Sequence, residues 1–146
     1  MTEKNSGRDL PGVTQGDYEL LAAFRNNLRG FLHFSEQAAL AAGVPPQQHQ
    51  ALLAIRGFPV RQSVTVGELA DCLKIKPHSA VGLVKRMCAD GLVVKEAGRE
   101  DARKVLVRLT ASGERVLARL SATHKAELER IGPVLRQILR NLKQKP

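Results

Sequence analysis

The chain has 146 residues, the size of one ordinary domain that can bury a core without disulfides or metals. Its 23 Lys and Arg against 14 Asp and Glu give a formal charge of +9 and a pI near 10.2, which points to a polyanionic partner or an acidic surface. Only Cys72 and Cys88 occur, too few for a disulfide framework, and they read as small buried hydrophobes of a reducing compartment. A basic start followed by an apolar run is absent, as is any apolar stretch near ~18 residues, so the expected location is cytoplasmic, with no membrane partner.

Residues 1–16 are polar, rich in glycine and without periodicity, and read as a flexible N-terminal tail. From Asp17, read as an N-cap, Leu20, Leu21, Phe24, Leu28, Phe31, Leu32 and Ala39 recur as the apolar stripe of a long helix that Gly43 and Pro45 stop. Gly30 weakens that helix by about 1 kcal/mol relative to alanine. A second helix starts at Pro45-Pro46, presents Leu52, Leu53 and Ile55, and ends at Gly57. Thr65 and Glu68 have the spacing of a capping box and open a short third helix with Leu69, Ala70 and Leu73 on its apolar side.

Pro77 stands at a natural first helical position and opens a fourth helix that Gly91 closes, so a very short turn joins two helices. On a helical wheel Ala80, Leu83, Val84, Met87 and Cys88 face inward, while His78, Ser79, Gly82, Lys85, Arg86 and Ala89 face outward. Val81 lies on the boundary, suited equally to the core and to a thymine methyl. The β-branched runs LVVKEA and KVLVRL flank GREDAR and read as a hairpin with a loop longer than a tight turn. Thr110 caps a last long helix carrying Val116, Leu117, Leu120, Leu128 and Ile131, which Gly132-Pro133 is expected to break, leaving a final amphipathic piece.

Helices followed by a β-hairpin are the plan of a winged helix-turn-helix, whose recognition helix enters the major groove of DNA. The hairpin charges Arg99, Arg103, Lys104 and Arg108, near Asp101, suit phosphates or a narrow minor groove, although a solvated hairpin has a similar charge. The fold class expected is mainly α with a small β-hairpin wing (α+β). A single domain over residues 17–146 would hold dimerisation helices at about 17–43 and 111–146 and the winged helix at about 46–110.

The stretches VTVGELADCL and GLVKRMCADGLVVKEAGREDARKVLVRLTASGERVL resemble the MarR family of bacterial transcriptional regulators, with its L-A-x-x-L, D-x-R and L-T-x-x-G pattern. The resemblance implies a homodimer built by the N- and C-terminal helices, binding to pseudo-palindromic double-stranded DNA, and often relief by a small molecule or oxidant. Asp101 and Arg103 match the D-x-R, in which the acid helps fix the wing and the arginine reaches DNA. The expected DNA-binding residues are Lys76, His78, Ser79, Gly82, Lys85, Arg86, Arg99, Asp101, Arg103 and Lys104. Two departures from the family pattern stand out: Val81 and Gly82 replace a polar pair of the recognition helix, and Lys74 replaces the glycine common in the turn. The cysteine of peroxide-sensing members is also absent.

His33, His49, His78 and His124 lack metal-site spacing, and no catalytic serine motif, phosphate loop or carboxylate pair is found, so no metal, cofactor or enzymatic activity is expected. The aromatics Tyr18, Phe24, Phe31, Phe34 and Phe58 all precede the recognition helix. Phe24, His33, Phe34 and Arg56 are candidate contacts for a small lipophilic or anionic effector. Two functions remain: a dimeric, sequence-specific regulator with repression as the favoured mode, or a winged helix used for nonspecific nucleic-acid binding or protein interaction.

Overall fold

A computed structural model describes residues 12–143. Five helices and one hairpin follow in order: α1 (Gln15–Ala41), α2 (Pro46–Arg56), α3 (Val66–Leu73), α4 (Pro77–Ala89), β1 (Val93–Ala97), β2 (Val105–Leu109) and α5 (Ala111–Lys143). The mainly helical architecture with one small wing is the expected one. Chain contacts divide into two units, one of residues up to Phe34 with those from Lys125, the other of Ser35–His124.

In the first unit α1 begins earlier than its sequence suggests. The Thr14 hydroxyl accepts the Asp17 N–H at 3.2 Å and the Asp17 carboxylate accepts the Thr14 N–H at 2.9 Å. Thr14 is therefore the N-cap and Asp17 the reciprocal acid three residues on. Most of the expected 1–16 tail lies outside the described residues, and its last two positions are helical. The single apolar stripe expected on α1 resolves into two. Leu20 and Phe31 are half-buried, whereas Tyr18, Leu21, Phe24, Leu28 and Leu32 form an exposed row at helical spacing.

The break expected at Gly132-Pro133 is absent, and α5 runs through Pro133. Proline removes one N–H from the ladder and normally clashes with the Cβ of the residue before it. Gly132 has no Cβ, so part of that clash is relieved, and the flanking turns carry the helix across.

The second unit holds the core. Leu52 and Ile55 of α2, Leu69 of α3, Leu83, Val84 and Met87 of α4, Val93 and Val107 of the hairpin, and Leu117 of α5 close around one another with Val64. Leu53, expected to help from α2, is exposed, because Ala51, Leu52 and Ile55 already fill the inward side. The hairpin is antiparallel with Val93 opposite Leu109 and Ala97 opposite Val105. Val64 adds a third, single-residue rung: Val64 and Val107 exchange both backbone hydrogen bonds, at 3.0 and 2.7 Å. That rung ties the wing to the segment leading into α3.

Local chemistry sets the helix-turn-helix. Thr65 and Glu68 form the expected reciprocal capping box at the start of α3. Partial burial works to raise the Glu68 carboxyl, but hydrogen bonds from the Thr65 amide and the Arg61 guanidinium outweigh it and hold the group below its ordinary range. At the end of α3 Lys74 itself takes the left-handed conformation, with φ 55°, and Ile75 N–H reaches back to Ala70 O at 3.1 Å. Gly91 ends α4 in the same way, with φ 72° and Leu92 N–H on Met87 O at 3.0 Å. The turn thus keeps the geometry a glycine would give, with Lys74 absorbing a strain of about 1 kcal/mol.

Candidate nucleic-acid interface

α4 buries Ala80, Leu83, Val84 and Met87 and turns the rest of its surface outward. His78, Ser79, Lys85 and Arg86 are all exposed, and among the described residues no ion pair or side-chain hydrogen bond engages them. Gly82 is half-buried in their midst. Val81, a boundary residue by its spacing, is 52% exposed and takes no part in the core. Cys88 is partly buried, as expected, whereas Cys72 is exposed on α3, contrary to its reading as a buried hydrophobe. Leu69 and Ala70 supply the inward face there, and position 72 falls on the outer side.

The start of α4 departs from ordinary helix chemistry. Lys76 is the N-cap and provides no capping oxygen, and Pro77 follows at the first helical position. A cation therefore stands at the end of the helix where the backbone dipole favours an anion. The fold gains nothing from that arrangement, but a phosphate would.

The wing tip is ordered by its own backbone. Gly98 N–H binds Lys104 O at 2.8 Å and Lys104 N–H binds Asp101 O at 3.1 Å. The Asp101 carboxylate accepts the Arg103 N–H at 3.0 Å, and its Oδ1 lies 3.7 Å from Arg103 Nε. Asp101 thus closes the loop, while the Arg103 side chain is 96% exposed. Arg99 and Lys104 are exposed on the same loop. Arg108 differs from the other wing cations, since Glu96 across the hairpin holds it at 2.9 Å. An open, mixed-charge cavity of about 800 Å³ lies between the wing and residues 60–63, lined in part by Arg61, Glu96, Arg99, Asp101 and Lys104.

The effector candidates are spread over both units. Phe24, His33 and Phe34 belong to the first, with His33 exposed and Phe34 partly buried. Arg56 belongs to the second and pairs with Glu114 at 2.9 Å.

Sequence reading passed over a polar cluster within the second unit. The rings of His49 and His124 lie 4.7 Å apart. His124 Nδ1 is 2.6 Å from Leu120 O, and its Nε2 is 2.7 Å from Ser35 Oγ. Since a carbonyl only accepts, Nδ1 carries the proton, and in the neutral ring Nε2 accepts from the serine hydroxyl. Burial, and then the proximity of His124, hold His49 below the ordinary imidazole range. Sequence spacing gives no signal for this pair, because 75 positions separate its members.

Among the described residues no group of three or more His, Cys, Asp or Glu side chains could hold a metal ion, and no helix is long and apolar enough to cross a membrane.

The sequence model described as MarR family matches residues 42–104. The curated protein named transcriptional activatory protein BadR, from Rhodopseudomonas palustris, is 35% identical over 80 residues, which are 55% of this chain and 46% of BadR. The match thus spans just under half the length of that relative. A MarR family protein from Bacillus stearothermophilus superposes with a TM-score of 0.71 at 23% identity, over 87% of this chain and 92% of that one. A MepR mutant from S. aureus, solved bound to an oligodeoxyribonucleotide, gives 0.62 at 17% identity, over 86% and 97%. The family match falls on the helix-turn-helix and wing and includes Leu69, Ala70, Leu73, Asp101 and Arg103, so over residues 42–104 the chain is similar to the MarR family.

Proposed function

We propose that this chain is a sequence-specific, DNA-binding transcriptional regulator that acts as a homodimer. One observation carries the reading. Arg103 projects almost fully exposed from a loop that Asp101 closes, next in the chain to a helix whose outer surface is basic, small and unpaired. A loop closed by its own hydrogen bonds and presenting an exposed guanidinium suits a minor groove, and a short-chained helix face suits the major groove. In this role Lys76, Lys85 and Arg86 meet phosphates, His78 and Ser79 meet phosphates or base edges, and Arg99 and Lys104 flank the groove.

The homodimer is supported by the exposed apolar row of α1 and by Leu128, Val134, Leu139 and Leu142 of α5. Such rows are disfavoured in water and match the self-complementary surface a two-fold dimer needs. Half-sites then lie about 10 base pairs apart or a multiple of it. A dimer seated over a promoter excludes polymerase, which makes repression the default sign. Seated beside it, the same protein activates, the sign carried by the name of the matched relative. Effector control would require a ligand with different affinities for two states of the protein, and Phe24, His33 and Phe34 of the first unit and Arg56 of the second are candidates to test one by one.

The replacement of a polar pair by Val81 and Gly82 favours a second reading, nonspecific binding. Titrating the chain against random duplex and against duplexes recovered from a random pool, at several salt concentrations, separates the two. Specific recognition gives a recovered site bound on the order of 1,000-fold or more tighter than random DNA, and sedimentation at micromolar concentration gives a dimer. Equal affinity for both duplexes would leave only the nonspecific reading, and a folded monomer would remove the homodimer.

A further inference from the structure

A single exposed valine is ordinary on a protein surface. What singles out Val81 is its company. Along the outer side of α4 the chain places three residues that each weaken a helix. Lys76 occupies the cap without a capping oxygen, Val81 is β-branched, and Gly82 lacks a side chain. The fold asks for none of them. Val81 adds nothing to the core, which Ala80, Leu83, Val84 and Met87 fill without it. Gly82 has no left-handed backbone, and a Cβ there would meet only the mobile guanidinium of Arg86, at 3.4 Å. Choices that cost local stability with no compensation inside the fold mark a surface used for something else.

The two neighbours explain each other once a duplex is in place. Valine is short and purely apolar, so it can read a base only by touching the 5-methyl group of thymine, the one apolar feature of a major-groove edge. To bring so short a side chain to the groove floor the helix backbone must come close, which the missing Cβ of Gly82 permits. His78 stands one turn before Val81 and Lys85 one turn after, both exposed and able to grip phosphates on either side. We propose that Val81 is a specificity-determining residue that reads a thymine methyl in each half-site, with Gly82 setting the approach of the helix. The inference rests on the sequence-specific reading above and deepens it by naming the base feature that is read.

The test uses the full chain and a duplex recovered from a random pool by that chain. Each thymine of the duplex is replaced in turn by deoxyuridine, which removes the methyl and keeps every hydrogen-bonding group. The unsubstituted protein should lose about fourfold in affinity at one thymine per half-site, the worth of one buried methyl. Val81→Ala, which removes the contact in both half-sites at once, should bind the original duplex roughly 16-fold more weakly and show no further loss on the deoxyuridine duplex, while circular dichroism confirms its helix content. Gly82→Ala should melt at a higher temperature yet bind the duplex more weakly. If no thymine shows the loss, or if Val81→Ala still shows it, Val81 does not read a methyl, although the site preference itself would stand. A pool from which no sequence is enriched would overturn the specific reading and this inference with it.

Discussion

Gly113 and Leu92 approach so closely that a Cβ on the glycine would stand 2.2 Å from the Leu92 carbonyl oxygen. That carbonyl accepts the Thr110 N–H at 3.0 Å, and the Thr110 hydroxyl donates to Gly91 O at 2.6 Å while accepting the Gly113 N–H at 3.1 Å. The L-T-x-x-G motif is therefore a weld between the first turn of α5 and the strand entering the wing, with the threonine as clamp and the glycine as clearance. Gly113→Ala must push one backbone segment off another, and it should cost about 3 kcal/mol or more, read as a fall in the denaturant midpoint. An unchanged midpoint would mean that the clearance is not needed.

At the N-cap of α4, helix stability and the proposed phosphate contact pull in opposite directions. Lys76→Ser supplies the missing capping oxygen and removes a cation from the positive end of the helix, so it should stabilise the protein by about 0.5–2 kcal/mol. The same change deletes a charge from the surface proposed to meet phosphates, so DNA affinity should fall. Thermal melts and a binding titration on one preparation check both signs. A variant that gains stability and keeps its affinity would take Lys76 out of the interface.

The helix-turn-helix and wing were legible because their signals are local. A capping box, a proline at the first helical turn, a left-handed glycine and two β-branched runs each act within a few residues, and each stands where its chemistry requires. The motif residues Asp101 and Arg103 were likewise found in one contiguous loop. Three features escaped because their causes are not local. Whether Pro133 breaks α5 depends on what the flanking turns contribute and on the bare Gly132 before it. Val64 joins the wing through backbone bonds that leave no side-chain pattern. The His49–His124 pair exists only because α2 and α5 meet. Thr14 was missed for a simpler reason, since Asp17 is also a good capping residue and only the geometry shows which of the two stands at the end.

That histidine pair carries a pH dependence. His49 is held below its ordinary range in the folded state by burial and by His124, so the unfolded chain takes up its proton first as the pH falls. Stability from this site is then fully present above about pH 6.5 and declines as the pH drops from there toward the lower folded value. The melting temperature should fall between pH 7.5 and 5.5, and His49→Gln should flatten that fall even if it lowers the melting temperature overall. An equal fall in both proteins would place the acid sensitivity elsewhere.

In the proposed interface Arg103 and Lys85 would meet DNA in two different ways. The Arg103 side chain is 96% exposed on a loop whose backbone Asp101 closes, so the point from which its guanidinium reaches the duplex is set by the loop. If it enters a minor groove, its contribution depends on groove width, and Arg103→Ala should lose about 1–3 kcal/mol on a recovered site, most where the flanks are A·T-rich. Lys85 is exposed on α4 and is proposed above to meet a phosphate. Lys85→Ala should therefore weaken recovered and random duplexes alike and flatten the log-log salt dependence by about 0.9 for each phosphate left without its cation. Both variants change exposed side chains, so circular dichroism should find them folded and leave the binding differences interpretable. Equal losses on both duplexes for Arg103→Ala would reduce that arginine to one more phosphate contact, and the weight of recognition would then fall on α4.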